Sequence, residues 1–301
     1  KRKRRPVTCG KDTFSVYSAK IPSPEPGETT KGASRMIAII LAAGRGASLK
    51  ELTEDKPTSL IELGGKTLVR WQCEALEAAR ARRICVVRGY RSEQLTPEAA
   101  GLPPNAFETV ENTDWLHGSL LSGLRCVAPW IDMALAEDED GIIVSHADAL
   151  YPANHILALA NAVEPVAITY DTRWQTLWMQ RFGDPLMNAE TFVHEDGRLL
   201  EVGFRPEDPD DIQGQYMGLI RFSPKGWTYA KKHLNKLGSA CDHTDMTTFI
   251  QGLVDDDVLV QAVPVVGHWV EVDTREDYHI YKRAIEREGW SHDWRITTPN
   301  D

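Results

Sequence analysis

Residues 36–60 read MIAIILAAGRGASLKELTEDKPTSL. The run MIAIILAA is apolar at consecutive positions, so it presents no polar face. That is the pattern of a strand buried on both sides, as in a parallel sheet covered by helices on each face. The run empties into Ala42-Ala43-Gly44-Arg45-Gly46-Ala47-Ser48, a loop with few side-chain atoms. Such a loop lets a ligand approach the main chain. The N–H groups of a glycine-rich turn also form a cradle for anions.

Outward from this stretch, KTLVRWQCEALEAAR (66–80) places Leu68, Trp71, Ala75, Leu76 and Ala79 on one helical stripe. RRICVVRGY (82–90) reads as a second buried strand. The order β-loop-α-β predicts a βαβ unit with a right-handed crossover and a parallel sheet. Residues 117–131 read as a helix opened by His117-Gly118-Ser119. Residues 141–152 read as a buried strand with a polar tip at Asp148, and 164–171 as another. After about residue 185 the texture changes. Residues 189–204 form two short runs around Asp196-Gly197, a hairpin signal. Residues 215–223, 258–266 and 268–273 read as strands, and 224–237, 243–256 and 274–289 as helices. Pro224 suits a first helical turn, and Thr274 suits a cap with Asp277 in the place of the usual Glu or Gln.

The predicted fold class is α/β: a doubly wound, mostly parallel, Rossmann-like sheet over 36–290, with a small β-rich subdomain built from the late hairpin and strands. Residues 1–35 are expected to be a disordered basic extension rich in Pro and Gly, and 291–301 a tail. In open α/β sheets ligands sit beyond the carboxyl ends of the strands. The opening loop and Asp148 both lie at such ends and are expected to face one cleft.

Charge narrows the function classes. Residues 1–35 hold nine of the 34 Lys and Arg but only three of the 44 Asp and Glu. The remainder is strongly acidic, which argues against nucleic acid as a partner. KRKRR (1–5) can be read as a localisation or anionic-surface patch, or as part of the extension. No apolar run reaches the ~20 residues of a membrane helix. The basic start is not followed by the apolar stretch of a signal peptide, and a first residue other than Met fits a fragment or a processed start. Cys9, Cys73, Cys85, Cys126 and Cys241 are odd in number and widely spaced, without CxxC. That pattern points to free thiols in a reducing, cytoplasmic setting, with Cys73 and Cys85 in the core.

Two common phosphate motifs fail by spacing. A Gly-x-Gly-x-x-Gly reading from Gly44 needs glycine at 49, which is Leu49. A P-loop reading of Gly64-Gly65-Lys66-Thr67 needs glycine at 60, which is Leu60. The whole stretch AIILAAGRGASLKELTEDKPTSLIELGGKTLVRWQCEAL (38–76) instead resembles the opening of the nucleoside-triphosphate transferases that make sugar and choline diphospho-nucleotides. The resemblance runs through 36–286. NTDWLHGSLLSGL (112–124) resembles the family's nucleoside-contacting segment, VSHADALY (144–151) its strand ending in a metal-binding Asp, and HWVEVDTREDY (268–278) its late segment with a second metal Asp. Residues 171–204 and 214–227 are most similar to the cytidylyltransferases of phosphonate metabolism, with phosphocholine cytidylyltransferases close behind.

That resemblance implies transfer of CMP from CTP to a small phosphonate or phosphocholine-like acceptor, with release of pyrophosphate. It implies Mg²⁺ on Asp148 and Asp273, both catalytic, and nucleotide binding by Leu41, Ala42, Ala43, Gly44, Arg45 and Gly46 with Asn112, Gly118 and Ser119. Arg181 and Trp178 are the implied acceptor contacts. Arg181 can equally be a surface arginine, Ser119 a helix cap, and Trp174, Trp178 and Trp269 either a pocket wall or core. His146 reads as a locally packed histidine or as the mark of a changed metal shell. A homodimer is compatible with the resemblance. Two family cations are replaced: Ser48 stands at the place of an Arg and Thr58 at the place of a Lys. Arg45 and catalytic Lys56 are the candidates to serve instead. Three readings follow: an active cytidylyltransferase, a sugar-1-phosphate nucleotidyltransferase, and a degenerate nucleotide-binding domain.

Overall fold

The computed structural model describes residues 35–137 and 139–296. The expectations for 1–34, including KRKRR and Cys9, and for 297–301 lie outside the described residues. The order of elements is β1 (Met36–Ala42), β2 (Glu62–Leu63), β3 (Lys66–Thr67), α1 (Leu68–Ala78), β4 (Arg83–Arg88), β5 (Glu108–Glu111), α2 (Leu120–Ala136), β6 (Gly141–His146) and β7 (Ala149–Leu150). There follow α3 (Ala153–Ala160), β8 (Val166–Asp171), α4 (Trp174–Phe182), β9 (Phe192–Glu195), β10 (Arg198–Val202), β11 (Gln215–Phe222), α5 (Pro224–Leu237), α6 (Met246–Asp255), β12 (Val260–Val265), β13 (Val270–Glu271) and α7 (Arg275–Ala284).

Nine strands form one sheet in the order β5-β4-β1-β6-β11-β8-β12-β10-β9. β1 runs parallel between β4 and β6. Its alternate residues feed two cores: Met36, Ala38, Ile40 and Ala42 on one face, and Ile37, Ile39 and Leu41 on the other. Helices α1, α3 and α4 pack on the first face and α2, α5 and α6 on the second. This double coverage is why β1 tolerates no polar residue. Beyond β6 the sheet becomes mixed, because β11 runs antiparallel to both β6 and β8 while β12 returns parallel to β8.

The late β-rich portion is mostly the far half of this same sheet. Hairpin β9–β10 joins it through β12. Its turn residues Asp196 and Gly197 both have positive φ, 49° and 79°, as a type I′ turn requires. What stands apart is two short ribbons, β2–β3 and β7–β13. The strand expected over 141–152 breaks after His146, because the chain turns at Ala147-Asp148. Ser119, Ser223, Asp245 and Thr274 cap their helices by side chain, and Thr274 with Asp277 completes a capping box despite the shorter acid.

The expected tail is instead docked over its described part. His292 is fully buried and Trp294 nearly so. His292 Nε2 lies 3.0 Å from Asp171 Oδ2 at the end of β8. Asp171 also accepts the Trp269 indole and the N–H groups of Arg173 and Gly267. Burial pushes this carboxyl up, but the hydrogen bonds from His292, Gly267, Arg173 and Trp269 together hold it below the ordinary carboxylate range. Cys73, Cys85, Cys126 and Cys241 are free thiols, and burial pushes those of Cys73 and Cys85 up to about 12. Among the described residues no helix is long and apolar enough to cross a membrane.

Candidate active site

Leu41 is in register with His146, so the loop after β1 lies beside the chain leaving β6. Gly46 sits in the left-handed region at φ 65°, and a Cβ there would collide with Thr58 Oγ1 and Leu49. Only glycine fits. Gly44 differs, since a Cβ there would meet nothing within 4 Å. Its missing side chain opens onto free space rather than onto the protein. The loop is pinned from outside: Thr58 Oγ1 donates to the Arg45 carbonyl at 3.2 Å, Thr53 Oγ1 to the Gly46 carbonyl at 3.1 Å, and the Tyr90 N–H to the Ala43 carbonyl at 2.8 Å. A residue at the place of a family lysine thus acts as a latch on the loop backbone.

The second wall is acidic. Ribbon β7–β13 pairs Ala149 with Glu271 and Leu150 with Val270, and the Val272 N–H donates to the Asp148 carbonyl at 2.9 Å. This brings Asp148, Glu271 and Asp273 together from distant parts of the chain. A cavity of about 100 Å³ is lined by Leu41, Ala42, Gly44 and Gly46 on one side and by Asp148 and Asp273 on the other. A larger cavity, about 710 Å³, lies between residues 186–190 and 203–208 and shares no lining residue with it. Of these two cavities, the smaller one combines the glycine loop with the acids.

Burial and the neighbouring Asp273 push the Asp148 carboxyl up, and the charge of Glu271 followed by burial pushes Asp273 up. Burial and Asp148 raise Glu271 to about 7. Arg181 opposes all three shifts. Asp148 Oδ1 is sealed from solvent without a hydrogen-bond partner. An orphan carboxylate oxygen among like charges is a costly arrangement unless a cation joins it. Hard oxygen donors of this kind fit a divalent cation such as Mg²⁺.

His146 closes the cluster. One ligand atom each from His146, Asp148 and Glu271 lie within 4.8 Å of one another. The ring packs edge-on against Tyr216 at 5.6 Å, and Gly218, at φ 81°, leaves room for it where a Cβ would stand 3.1 Å from its Cγ. Burial lowers its pKa to about 4, so the imidazole is neutral at physiological pH. The expectation of a locally packed histidine is met, and the ring stands beside the acid cluster.

Residues 38–199 match the model of the MobA-like NTP transferase domain. Over 252 residues the chain is 31% identical to the CTP:phosphoglutamine cytidylyltransferase of Campylobacter jejuni, covering 81% of this chain and 98% of that protein. The chain belongs to the MobA-like NTP transferase family. A shorter match, 30% identity over 124 residues, is to the 2-aminoethylphosphonate cytidylyltransferase of Lancefieldella rimae, covering 41% of this chain and 47% of that protein. The fold matches that of the CTP:phosphocholine cytidylyltransferase of Streptococcus pneumoniae, with TM-score 0.58 and 19% identity over 83% of this chain and 99% of that one.

Against this nucleotidyltransferase frame, several expected contacts take other places. Arg181 is neither an open acceptor ligand nor a surface arginine. Its side chain is 2% exposed, and Nε and Nη2 grip both oxygens of Asp277 at 2.9 Å while Nη1 reaches Glu271 at 3.3 Å. With its Nε/Nη2 fork held by Asp277 and Nη1 turned to Glu271, the buried guanidinium presents no open fork to a phosphonate. Trp178 is likewise no pocket wall. With Trp174 and Trp269 it forms a buried aromatic cluster, ring centroids 6.1 and 6.4 Å apart. Three buried aromatic rings contribute a large apolar area to the core.

Ser119 Oγ accepts the Leu121 N–H as the cap of α2 and donates to the Cys241 carbonyl at 2.6 Å. Gly118 is required where it stands, since a Cβ would collide with Ser122. Asn112 is buried and donates from Nδ2 to Ser122 Oγ at 3.3 Å. These three shape the segment beside the loop. Arg45 is exposed and lies over the Tyr90 ring at 5.6 Å, Ser48 is exposed, and Lys56 is half-buried in the bend before Pro57. The reading of residues missed Glu271. The signal was present: in the run 268–273, which reads as a strand in sequence, Glu271 and Asp273 are two apart, the spacing of one strand face, although the strand itself ends at Glu271.

Proposed function

We propose that the chain is a CTP-dependent cytidylyltransferase. It joins CMP to a small acceptor bearing a phosphorus oxyanion and releases pyrophosphate. The observation that carries this reading is the facing of the open Gly44 loop and the unpartnered Asp148 oxygen across one cavity. In the reaction an acceptor oxygen attacks the α-phosphorus. The bond from that phosphorus to the oxygen bridging to the β-phosphate breaks, and the leaving pyrophosphate takes that electron pair. Two polyanions must meet, so charge is the main barrier.

The N–H groups of the loop 43–46 would receive phosphate oxygens, and the bonds from Thr53 and Thr58 to the loop carbonyls support this reading by keeping the loop in shape. Arg45 and Lys56 are the cations of this segment available to the triphosphate in place of those absent at Ser48 and Thr58. Arg181 fixes the carboxylates so that their oxygens converge. Asp148 and Asp273, with Glu271, would hold the divalent cation, which when bound supplies charge neutralisation at the phosphates.

The acceptors named for the cited relatives all carry a phosphorus oxyanion and a cationic nitrogen. The large groove offers Glu190 and Arg205 with Phe204 and Met187. Gln215 binds both main-chain groups of Glu190, and the next residue, Tyr216, approaches His146 in the acid cluster. The groove is therefore a fitting place for the organic part of the acceptor. A screen of CTP, UTP and dTTP against phosphoglutamine, 2-aminoethylphosphonate, phosphocholine and a hexose 1-phosphate, read by pyrophosphate release, tests the reading. Turnover is expected with CTP and an aminated acceptor. Turnover only with UTP or dTTP and the sugar phosphate replaces it by the sugar branch, and nucleotide binding without turnover replaces it by a degenerate binding domain.

A further inference from the structure

We propose that His146 is a direct ligand of the cation, and that this site selects a first-row transition ion, Mn²⁺, over Mg²⁺. The proposal rests on the reading of Asp148 and Glu271 as a metal site and adds to it a nitrogen donor. His146 is the last residue of β6, and the turn at Ala147-Asp148 folds the Asp148 carboxylate back beside it. Glu271 arrives from β13 through its pairing with Ala149. The three side chains thus come from one rigid junction, and their ligand atoms lie within 4.8 Å of one another, a spacing that one ion can bridge.

Each of the three has capacity left for an ion. Asp148 Oδ1 has no partner. Arg181 engages Glu271 at Oε2, which leaves Oε1. The His146 ring meets Tyr216 Oη 3.4 Å from Nε2, at the outer limit of a hydrogen bond. Gly218 and Tyr216 pack against the ring on two sides. An imidazole held this way beside two carboxylates offers a ring nitrogen to the same ion. Mg²⁺ favours oxygen donors and keeps much of its water, whereas first-row transition ions accept an imidazole nitrogen, and among them Mn²⁺ shares with Mg²⁺ a suitability for carboxylate oxygens. One nitrogen donor in place of an oxygen therefore moves the preference toward Mn²⁺.

Calorimetric titration of the nucleotide-free protein with Mn²⁺ and Mg²⁺, and pulsed electron paramagnetic resonance of the Mn²⁺-loaded protein, test this without reference to activity. Mn²⁺ is expected to bind about tenfold or more tighter than Mg²⁺. Its spectrum is expected to carry the hyperfine coupling of a directly bound nitrogen. The coupling should vanish in His146→Gln, with the Mn²⁺ preference lost, and both should be kept in Tyr216→Phe. Mn²⁺ bound without nitrogen coupling in the unaltered protein overturns the role of His146 while leaving the carboxylate site standing. Failure of both ions to bind, or binding unchanged in Asp148→Asn, overturns the metal site itself.

Discussion

Arg181 and Asp277 are joined by two parallel hydrogen bonds of 2.9 Å between side chains that are 2% and 3% exposed. Asp277 also accepts the Thr274 N–H as part of the cap of α7, one residue past Asp273. One buried pair therefore ties α4 to the start of α7 and sets where Asp273 stands. Removing the cation while leaving Asp277 buried is expected to destabilise the fold by about 3–5 kcal/mol, as for other broken buried pairs. Urea unfolding of Arg181→Met measures this. An acceptor ligand would behave differently, with stability kept and only the acceptor KM raised.

Asp148→Asn keeps the shape and removes the charge. Pyrophosphate release should fall by roughly 10²–10³-fold or more, the scale on which a lost group for stabilising transition-state charge is felt. Nucleotide binding through the loop N–H groups should survive. Undiminished release in this variant removes Asp148 from the site.

Thr58→Val deletes the hydroxyl that holds the Arg45 carbonyl at 3.2 Å. The loss should cost about 0.5–1.5 kcal/mol of stability, the usual net worth of one such bond. Its main effect should be on nucleotide KM, because the loop loosens while the acids stay fixed. Steady-state kinetics showing kcat reduced with KM unchanged would place Thr58 in the chemistry instead.

His155 is buried on α3 with Nδ1 unpartnered, and burial lowers its pKa from 6.5 to about 4. The unfolded chain takes up a proton below pH 6.5 that the folded chain refuses until about 4. This group therefore withdraws stability as pH falls through that window and is neutral in effect above it. His155→Leu should gain melting temperature relative to the unaltered protein as pH drops from 7 to 4.5, with the difference levelling off above 7. A difference that does not vary with pH would mean that His155 titrates alike in both states.

Local chemistry was enough to read the alternation-free β1, its small-residue loop, the βαβ start and the Asp196-Gly197 hairpin, because each depends on neighbours within a few residues. Asp148 was legible in the same way as a polar tip after an apolar run, whereas Asp273 was singled out by the resemblance carried by residues 268–278. Three things depended on residues far apart in the chain. The late strands completed the main sheet because β11 inserts antiparallel between β6 and β8. Residues 291–296 docked because Asp171 holds His292. Arg181 and Trp178 turned inward because Asp277, Glu271 and Trp269, some 90 residues on, met them there. Burial and charge pairing are properties of a neighbourhood in space, and a residue type alone does not state which neighbourhood it will enter. The acid cluster with His146 is the plainest case: the sequence supplies its donors at 146, 148 and 271, and the pairing of β7 with β13 makes them one site.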